Sequence, residues 1–239
     1  MKHIKWIRRL LPPPVQCRHG EYSMLFSVDD DQSHATPELI QIALKAIEDA
    51  LSVDLTDLTK RMEVKPYFPN VWPGEHYKLL AGLVRTLKPR QIIEIGTGTG
   101  MSALCMKKYL PDGSRIFTFD IISYKENKNS KLIDSDFDDK KLVAYVDDLT
   151  KMKAIECHRT ELEDADIIFI DAAKNVVMER IFLENFHSLR FRKAPLLVFD
   201  DIRLWNMLKI WREIDYPKLD LTSFGHWTGT GLVQWKGSP

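Results

Sequence analysis

Polar and apolar positions along the chain follow two rhythms. Up to about residue 88 the rhythm is helical. Thr36-Pro37-Glu38 reads as an N-cap followed by proline in the first turn, and predicts a helix running to about Leu51. Tyr77, Leu80, Val84 and Leu87 recur at i, i+3, i+7 and i+10, which predicts a second helix over Glu75–Leu87. Between them, Pro66, Pro69, Pro73 and Gly74 mark residues 64–74 as loop. Beyond residue 90 the rhythm changes to short, nearly continuous apolar runs, as strands covered on both faces require. The runs are Gln91–Ile95, Arg115–Asp120, Leu142–Val146, Asp166–Asp171 and Leu196–Asp200. Helical stretches at Met101–Leu110, Val176–Leu189 and Ile202–Ile214 fall between and after them. Such alternation predicts a parallel sheet with right-handed crossovers. Two last strand-like runs, Leu219–Phe224 and Gly231–Trp235, are joined by a short turn and predict an antiparallel hairpin.

The pattern therefore predicts an α/β fold, doubly wound on a mostly parallel seven-stranded sheet that ends in an antiparallel hairpin. A mostly helical N-terminal extension at residues 1–70 precedes a domain at 71–239. Within the extension, Ile4–Leu11 reads as a short amphipathic arm, stopped by Pro12, Pro13 and Pro14. The extension is expected to cover a ligand, to help form a substrate pocket, or to build a homodimer. One stretch breaks the alternation. Residues 123–141 are polar and charged where a crossover helix would be expected, and read as a long surface loop or an active-site lid.

Composition narrows the classes. Hydrophobic residues make up 44% and charged residues 28%, an ordinary globular mixture. Lysine plus arginine equals aspartate plus glutamate at 34 each, so neither nucleic acid nor an anionic membrane is expected as a partner. Cys17, Cys105 and Cys157 lack metal-ligand spacing and suit reduced thiols. The first residues lack the continuous apolar core of a signal peptide, and a cytoplasmic location is expected.

Glu94-Ile-Gly-Thr-Gly-Thr-Gly100 is the strongest local signal, lying directly after a predicted strand and before a predicted helix. Gly96, Gly98 and Gly100 permit a tight turn and close approach of a ligand to the backbone. The following helix offers free N–H groups and its positive dipole end. A nicotinamide-binding loop would instead follow G-x-G-x-x-G, whose last glycine would fall at Met101. Here it comes one residue early, at Gly100. Asp120 closes the second strand, where an acid can accept from both hydroxyls of a ribose. Asp147 and Asp148 follow the third, within reach of an adenine amino group. Each acid could equally cap the next turn.

Three motifs together resemble the cation-dependent O-methyltransferases of the catechol and caffeoyl-coenzyme A type, across roughly Tyr77 to Trp235. Glu94-Ile-Gly-Thr-Gly-Thr-Gly-Met-Ser102 is similar to their cofactor loop, Phe169-Ile-Asp-Ala-Ala-Lys174 to F-x-D-A-D-K, and Val198-Phe-Asp-Asp201 with Leu204-Trp205 to D-N-x-L-W. The resemblance implies a Rossmann-like class I methyltransferase that uses S-adenosylmethionine to methylate the oxygen of a small molecule. It further implies cofactor contacts at Glu94, Gly96, Thr97, Gly98, Gly100, Ser102, Asp120, Asp148 and Asp171. Asp171, Asp200 and Asp201 would bind Mg²⁺ or another divalent cation, with Lys174 as the base beside Asp171.

The residues themselves also support a bland reading. Asp171 could cap a helix near Lys174, one of Asp200 and Asp201 could cap a helix starting at Ile202, and Lys174 could be a solvated surface lysine. The sequence also departs from the family pattern. Ala173 stands for the second acid, Asp201 for the asparagine, Val176 for an aromatic, and Arg203 is an apparent insertion. These leave two other enzymes in view. One is a cation-independent N- or C-methyltransferase in which Asp200, Asp201 and Arg203 form a structural salt-bridge cluster. The other is an NAD-dependent oxidoreductase. A non-catalytic cofactor-binding protein is the third alternative. In the tail Phe224–Leu232, His226 is read as part of a hairpin turn with a packed Trp227, ahead of a role as acid or base. Trp72 and Trp205 are candidates for an acceptor pocket.

Overall fold

A computed structural model describes residues 33–62 and 68–236. They belong to one compact unit that begins at Ser33. The arm expected at Ile4–Leu11 and its proline stop lie outside the described residues.

Helix α1 (Pro37–Leu51) starts as its sequence predicts, with the Thr36 hydroxyl accepting from the Leu39 N–H at 3.1 Å. A short helix α2 (Thr56–Thr59) follows, then α3 (Tyr77–Leu87). Leu39, Ala43, Ala46 and Ala50 line the buried face of α1, which packs on α3. The approach is close enough that a Cβ on Gly82 would lie 2.3 Å from the Ala46 carbonyl oxygen. The small residues Ala43, Ala46 and Ala50, at i, i+3 and i+7 of α1, permit this.

The remaining elements alternate as the apolar runs imply. They are β1 (Gln91–Ile95), α4 (Met101–Lys108), β2 (Arg115–Asp120), β3 (Leu142–Val146), α5 (Met152–Cys157), α6 (Arg159–Glu163), β4 (Ile167–Ile170), α7 (Val177–Phe186), β5 (Leu196–Asp200), α8 (Met207–Glu213), β6 (Lys218–Asp220) and β7 (Thr230–Gln234). The strands form one seven-stranded sheet in the order β3-β2-β1-β4-β5-β7-β6. The first five are parallel, and β7 runs antiparallel to both β5 and β6. Successive residues of each central strand serve opposite layers. Ile92, Phe169, Val198 and Leu232 pack under α1, α3 and α4, while Ile93, Ile168, Leu197 and Val233 pack under the helices of the other face. No helix of the described residues is long and apolar enough to cross a membrane.

Helices α5 and α6 stand where the pattern predicts none, and two further departures lie after β5. The helix expected from Ile202 begins only at Met207. The N–H groups of Ile202 and Arg203 donate instead to the carbonyls of Gly229 and Thr228, at 3.2 and 2.8 Å. Asp201 and Trp205 take left-handed backbone, φ 59° and 48°. That tertiary ladder overrides helical periodicity, so neither Asp200 nor Asp201 caps a helix. The strand expected over Leu219–Phe224 ends at Asp220, whose carboxylate accepts from the Thr222 N–H at 2.8 Å and turns the chain.

Residues 123–141 contain turns and a short 3₁₀ segment, Asp134–Phe137. They are tied down at several points. Arg61 makes two bonds to Asp136, at 2.7 and 2.9 Å, Asn127 donates to the Gly98 carbonyl at 2.7 Å, and the Lys131 N–H donates to the Thr99 carbonyl at 2.9 Å. The polar run that breaks the sequence pattern thus buttresses the glycine turn.

Candidate active site

Gly96, Gly98 and Gly100 all take positive φ, at 100°, 48° and 77°. Two of them are also sterically required. A Cβ on Gly96 would lie 2.0 Å from the Asp171 carbonyl oxygen, and one on Gly100 would lie 2.3 Å from Leu132. The turn is therefore held between the end of β4 on one side and the 123–141 segment on the other.

It borders a cavity of about 260 Å³ at the carboxyl ends of β1, β2 and β4, where open α/β sheets bind ligands. Gly96, Gly98, Asp120, Asp148 and Asp171 line this cavity. Asp120 accepts from the Gly98 N–H at 3.0 Å and from the Ile122 N–H at 3.1 Å. Each of its oxygens retains a lone pair for a further donor. Asp148 accepts from the Thr150 N–H at 2.9 Å and from its hydroxyl at 2.6 Å. Burial pushes the Asp148 carboxyl up, but the Thr150 bonds outweigh it and hold it below the usual range. Phe119, Ile121, Met178 and Phe182 supply apolar walls. Acids spaced along an apolar cleft, beside glycines that keep the backbone bare, fit an adenosyl group.

Four residues expected to contact the cofactor are not among those that line this cavity. Glu94 is fully buried and accepts from the Ser102 hydroxyl at 2.5 Å and the Thr118 hydroxyl at 2.6 Å. Burial raises its carboxyl, the two hydroxyls partly offset this, and it sits at about 7. Thr97 bonds to Thr118 at 2.6 Å. These bonds of Glu94, Thr97 and Ser102 join β1, β2 and the first turn of α4 behind the loop. Gly100 is likewise packed against Leu132 rather than lining the cavity.

Next to the cavity lies a cluster of charged side chains from four separate segments. Asp171 and Asp200 end or follow the neighbouring strands β4 and β5. Because β7 is antiparallel and pairs Thr230 with Asp200, the loop before it crosses the same sheet edge and delivers His226 and Thr228. His76, just before α3, packs its ring on Phe169 at 5.2 Å and reaches Asp200 at 3.0 Å. His226 Nδ1 lies 3.3 Å from Asp200 and 3.0 Å from Asp201, and 2.7 Å from the Thr228 hydroxyl, which itself donates to Asp201. Lys174 Nζ sits among all three acids. It pairs with Asp171 and lies 3.6 Å from Asp200 and 3.3 Å from Asp201.

The backbone is bent to place these groups. Lys174 and Val176 hold φ of 57° and 72°, an unfavourable region for a β-branched residue. The Lys174 N–H is fixed by the fully buried Glu179 at 3.0 Å.

Burial disfavours every charge in the cluster, and the pairings answer it. For Asp200, His76 and the bonds from both histidines outweigh burial and hold the carboxyl well below its usual range. Asp201 is lowered against burial, chiefly by His226. Burial and the neighbouring Asp200 charge raise Asp171. Burial lowers His226, but hydrogen bonds to Asp200 and Asp201 carry it up to about 10. Lys174 is also raised, because Asp171 and Asp200 overcome burial. Lys174 is buried among the three acids, so it is not a solvated surface lysine.

The three acids expected to bind a metal do converge, with oxygens within 4.8 Å of one another, and carboxylates suit a hard divalent ion. The space between them is taken by Lys174 Nζ, and Asp200 and Asp201 also pair with His76, His226 and Thr228. As folded, the cluster does not fit a divalent ion, which would have to displace an ammonium touching every ligand. Arg203 takes no part. It pairs with Asp220 at 2.6 Å and bonds to Thr222 at 3.1 Å. Trp227 is not packed in a hairpin. It is 72% exposed, and Trp205 is 75% exposed.

His76, Thr228 and Glu179 escape a reading of the sequence. Thr228 stands in the unusual Gly-His-Trp-Thr run, which is a usable signal. His76 and Glu179 lie in ordinary helical contexts and carry none.

Among known proteins, a family model described as O-methyltransferase matches residues 45–217. A methyltransferase from Geobacter sulfurreducens is similar in structure, with a TM-score of 0.50 at 16% identity, covering 98% of this chain and 97% of that one. An O-methyltransferase from Bacillus cereus in complex with S-adenosylhomocysteine gives 0.48 at 20% identity, covering 79% and 90%. The O-methyltransferase TomG from Streptomyces achromogenes, in complex with S-adenosylmethionine, gives 0.48 at 19%, covering 82% and 90%. No curated protein sequence matches the chain.

Proposed function

Because the chain belongs to the O-methyltransferase family and takes its methyl group from S-adenosylmethionine, we propose that it methylates a hydroxyl of a small molecule bound beside Asp171. The observation that carries this reading is the double position of Asp171, which lines the cofactor cavity and is also a member of the charged cluster. A hydroxyl placed there lies between a methyl donor and a proton acceptor.

Bound S-adenosylmethionine supplies an electrophilic methyl carbon; an oxygen lone pair forms the new C–O bond while the C–S electron pair stays on sulfur. The chain's own task is to align the acceptor and take its proton, alignment being the main demand of a displacement. Asp171 receives the proton. Burial and Asp200 raise its affinity for one, and it already faces the cavity. Lys174 and His226 hold the neighbouring carboxylates in place and set a positive potential that favours the oxyanion as it forms. Trp205 and Trp227, exposed on the two segments that the Arg203–Thr228 hydrogen bond joins, supply flat apolar surface. They suit an acceptor with an aromatic or otherwise planar apolar body.

The test is methyl transfer to paired panels of phenols and the corresponding anilines, read as S-adenosylhomocysteine release and product mass. Turnover with phenols alone is expected. Methylation of the amines or of ring carbon, with the hydroxyls untouched, would refute the oxygen assignment.

A further inference from the structure

The cluster beside the cavity is built from three acids and three cationic side chains, and its arrangement bears on what the reaction needs. We propose that Lys174 is the resident cation of this site and that methyl transfer proceeds without a divalent metal. The proposal rests on the reading above for the reaction, but its central test requires no acceptor.

Every acid of the trio already has a positive neighbour. Lys174 Nζ contacts all three, at 3.3 Å from Asp201, 3.6 Å from Asp200 and closer to Asp171. His226 Nδ1 bridges Asp200 and Asp201, and His76 Nδ1 meets Asp200 from the opposite element. The Thr228 hydroxyl adds a donor to Asp201. Of the six carboxylate oxygens, both of Asp200, both of Asp201 and one of Asp171 face these partners.

Buried carboxylates this close are stable only when opposite charge is supplied, from outside or from the chain. Here the chain supplies it. Lys174 is buried, its N–H is anchored by Glu179, and its left-handed backbone aims the side chain back at Asp171. A lysine held by its backbone and by three carboxylates is not a mobile side chain awaiting replacement by an ion. In a metal-assisted site the ion's role is to hold the acceptor oxygen and stabilise its negative charge. Lys174 and His226 place fixed positive charge at that same sheet edge.

The experiment titrates metal-stripped protein, saturated with S-adenosylhomocysteine, with Mn²⁺. Binding is followed by calorimetry and by the electron paramagnetic resonance signal of free Mn²⁺, a stand-in for Mg²⁺ at oxygen ligands. Wild type is expected to bind no Mn²⁺ up to millimolar concentration. Lys174→Met, which removes the ammonium and leaves the acids, is expected to bind it at least roughly tenfold more tightly than wild type. Asp200→Asn added to that variant should abolish the gain.

One equivalent of Mn²⁺ bound by wild type at micromolar concentration, and lost in Asp171→Asn, would overturn the proposal. So would a folded Lys174→Met protein that gains no affinity. If Lys174→Met does not fold, Lys174→Arg keeps the charge and must bind no Mn²⁺, so the wild-type and Arg titrations still decide. Once an acceptor is in hand, turnover should survive EDTA; restoration of lost turnover by Mg²⁺ would refute metal independence and leave the oxygen acceptor standing.

Discussion

The glycine-loop half of the site and the charged half are built in opposite ways. The first is largely contiguous. Gly96, Gly98 and the Glu94 that braces the turn lie within five residues, and Asp120 ends the adjacent strand. Its polar groups bond mainly to backbone N–H groups and to hydroxyls. The second draws His76, Asp171, Lys174, Asp200, Asp201 and His226 from across the chain and binds them by charge. A contiguous site tolerates loss of one ligand-facing group as a local defect. A site held by opposing buried charges does not, because removing one partner leaves another uncompensated.

That contrast is open to direct attack. The largest effect is expected from Asp200→Ala, which takes from His76 the acid it pairs with and removes one of the acids around Lys174 and His226. It should destabilise the protein by about 3–5 kcal/mol in urea unfolding, while the folded fraction keeps its affinity for S-adenosylhomocysteine. If stability were unchanged, the cluster would be a solvated surface feature and the contrast would fail.

Glu94 gives the next effect, and it depends on pH. Its folded-state value of about 7 lies above the ordinary 4.5, so the folded chain holds the proton more tightly than the unfolded one. The stability it contributes is present below pH 4.5 and is lost as pH rises to about 7. A shift of that size corresponds to about 3 kcal/mol. Glu94→Gln should remove this part of the slope. Parallel stability–pH curves for the two proteins over that window would show that the buried carboxyl titrates normally.

Asp120→Ala sharpens the comparison from the other side. Asp120 faces the cavity and is partly exposed, so its loss should leave the fold intact. It should weaken S-adenosylhomocysteine binding by roughly 10- to 100-fold, the worth of charged hydrogen bonds to a ligand. Unaltered affinity by calorimetry would remove Asp120 from the cofactor site.

Much of the fold was legible because its signals are local. Strands covered on both faces must be apolar throughout, and β1, β2, β3 and β5 lie where their runs predict. The glycine turn was legible for the same reason, since its backbone conformation admits few other residues. The acids at the ends of β4 and β5 could be placed near one another, because consecutive parallel strands with a crossover helix tend to be neighbours.

What the sequence determined by itself, then, is the succession of elements, the glycine turn, and the sheet edge on which the acids stand. What only the tertiary structure decided is how those acids are used. No periodicity predicts that β7 would lay His226 and Thr228 over Asp200 and Asp201, that His76 would enter from before α3, or that Lys174 would turn inward. Nor does a motif tell that Glu94 and Ser102 bond to each other. Backbone preferences act between neighbours in the chain, whereas the pairing of buried charges depends on distances that exist only after the sheet has formed.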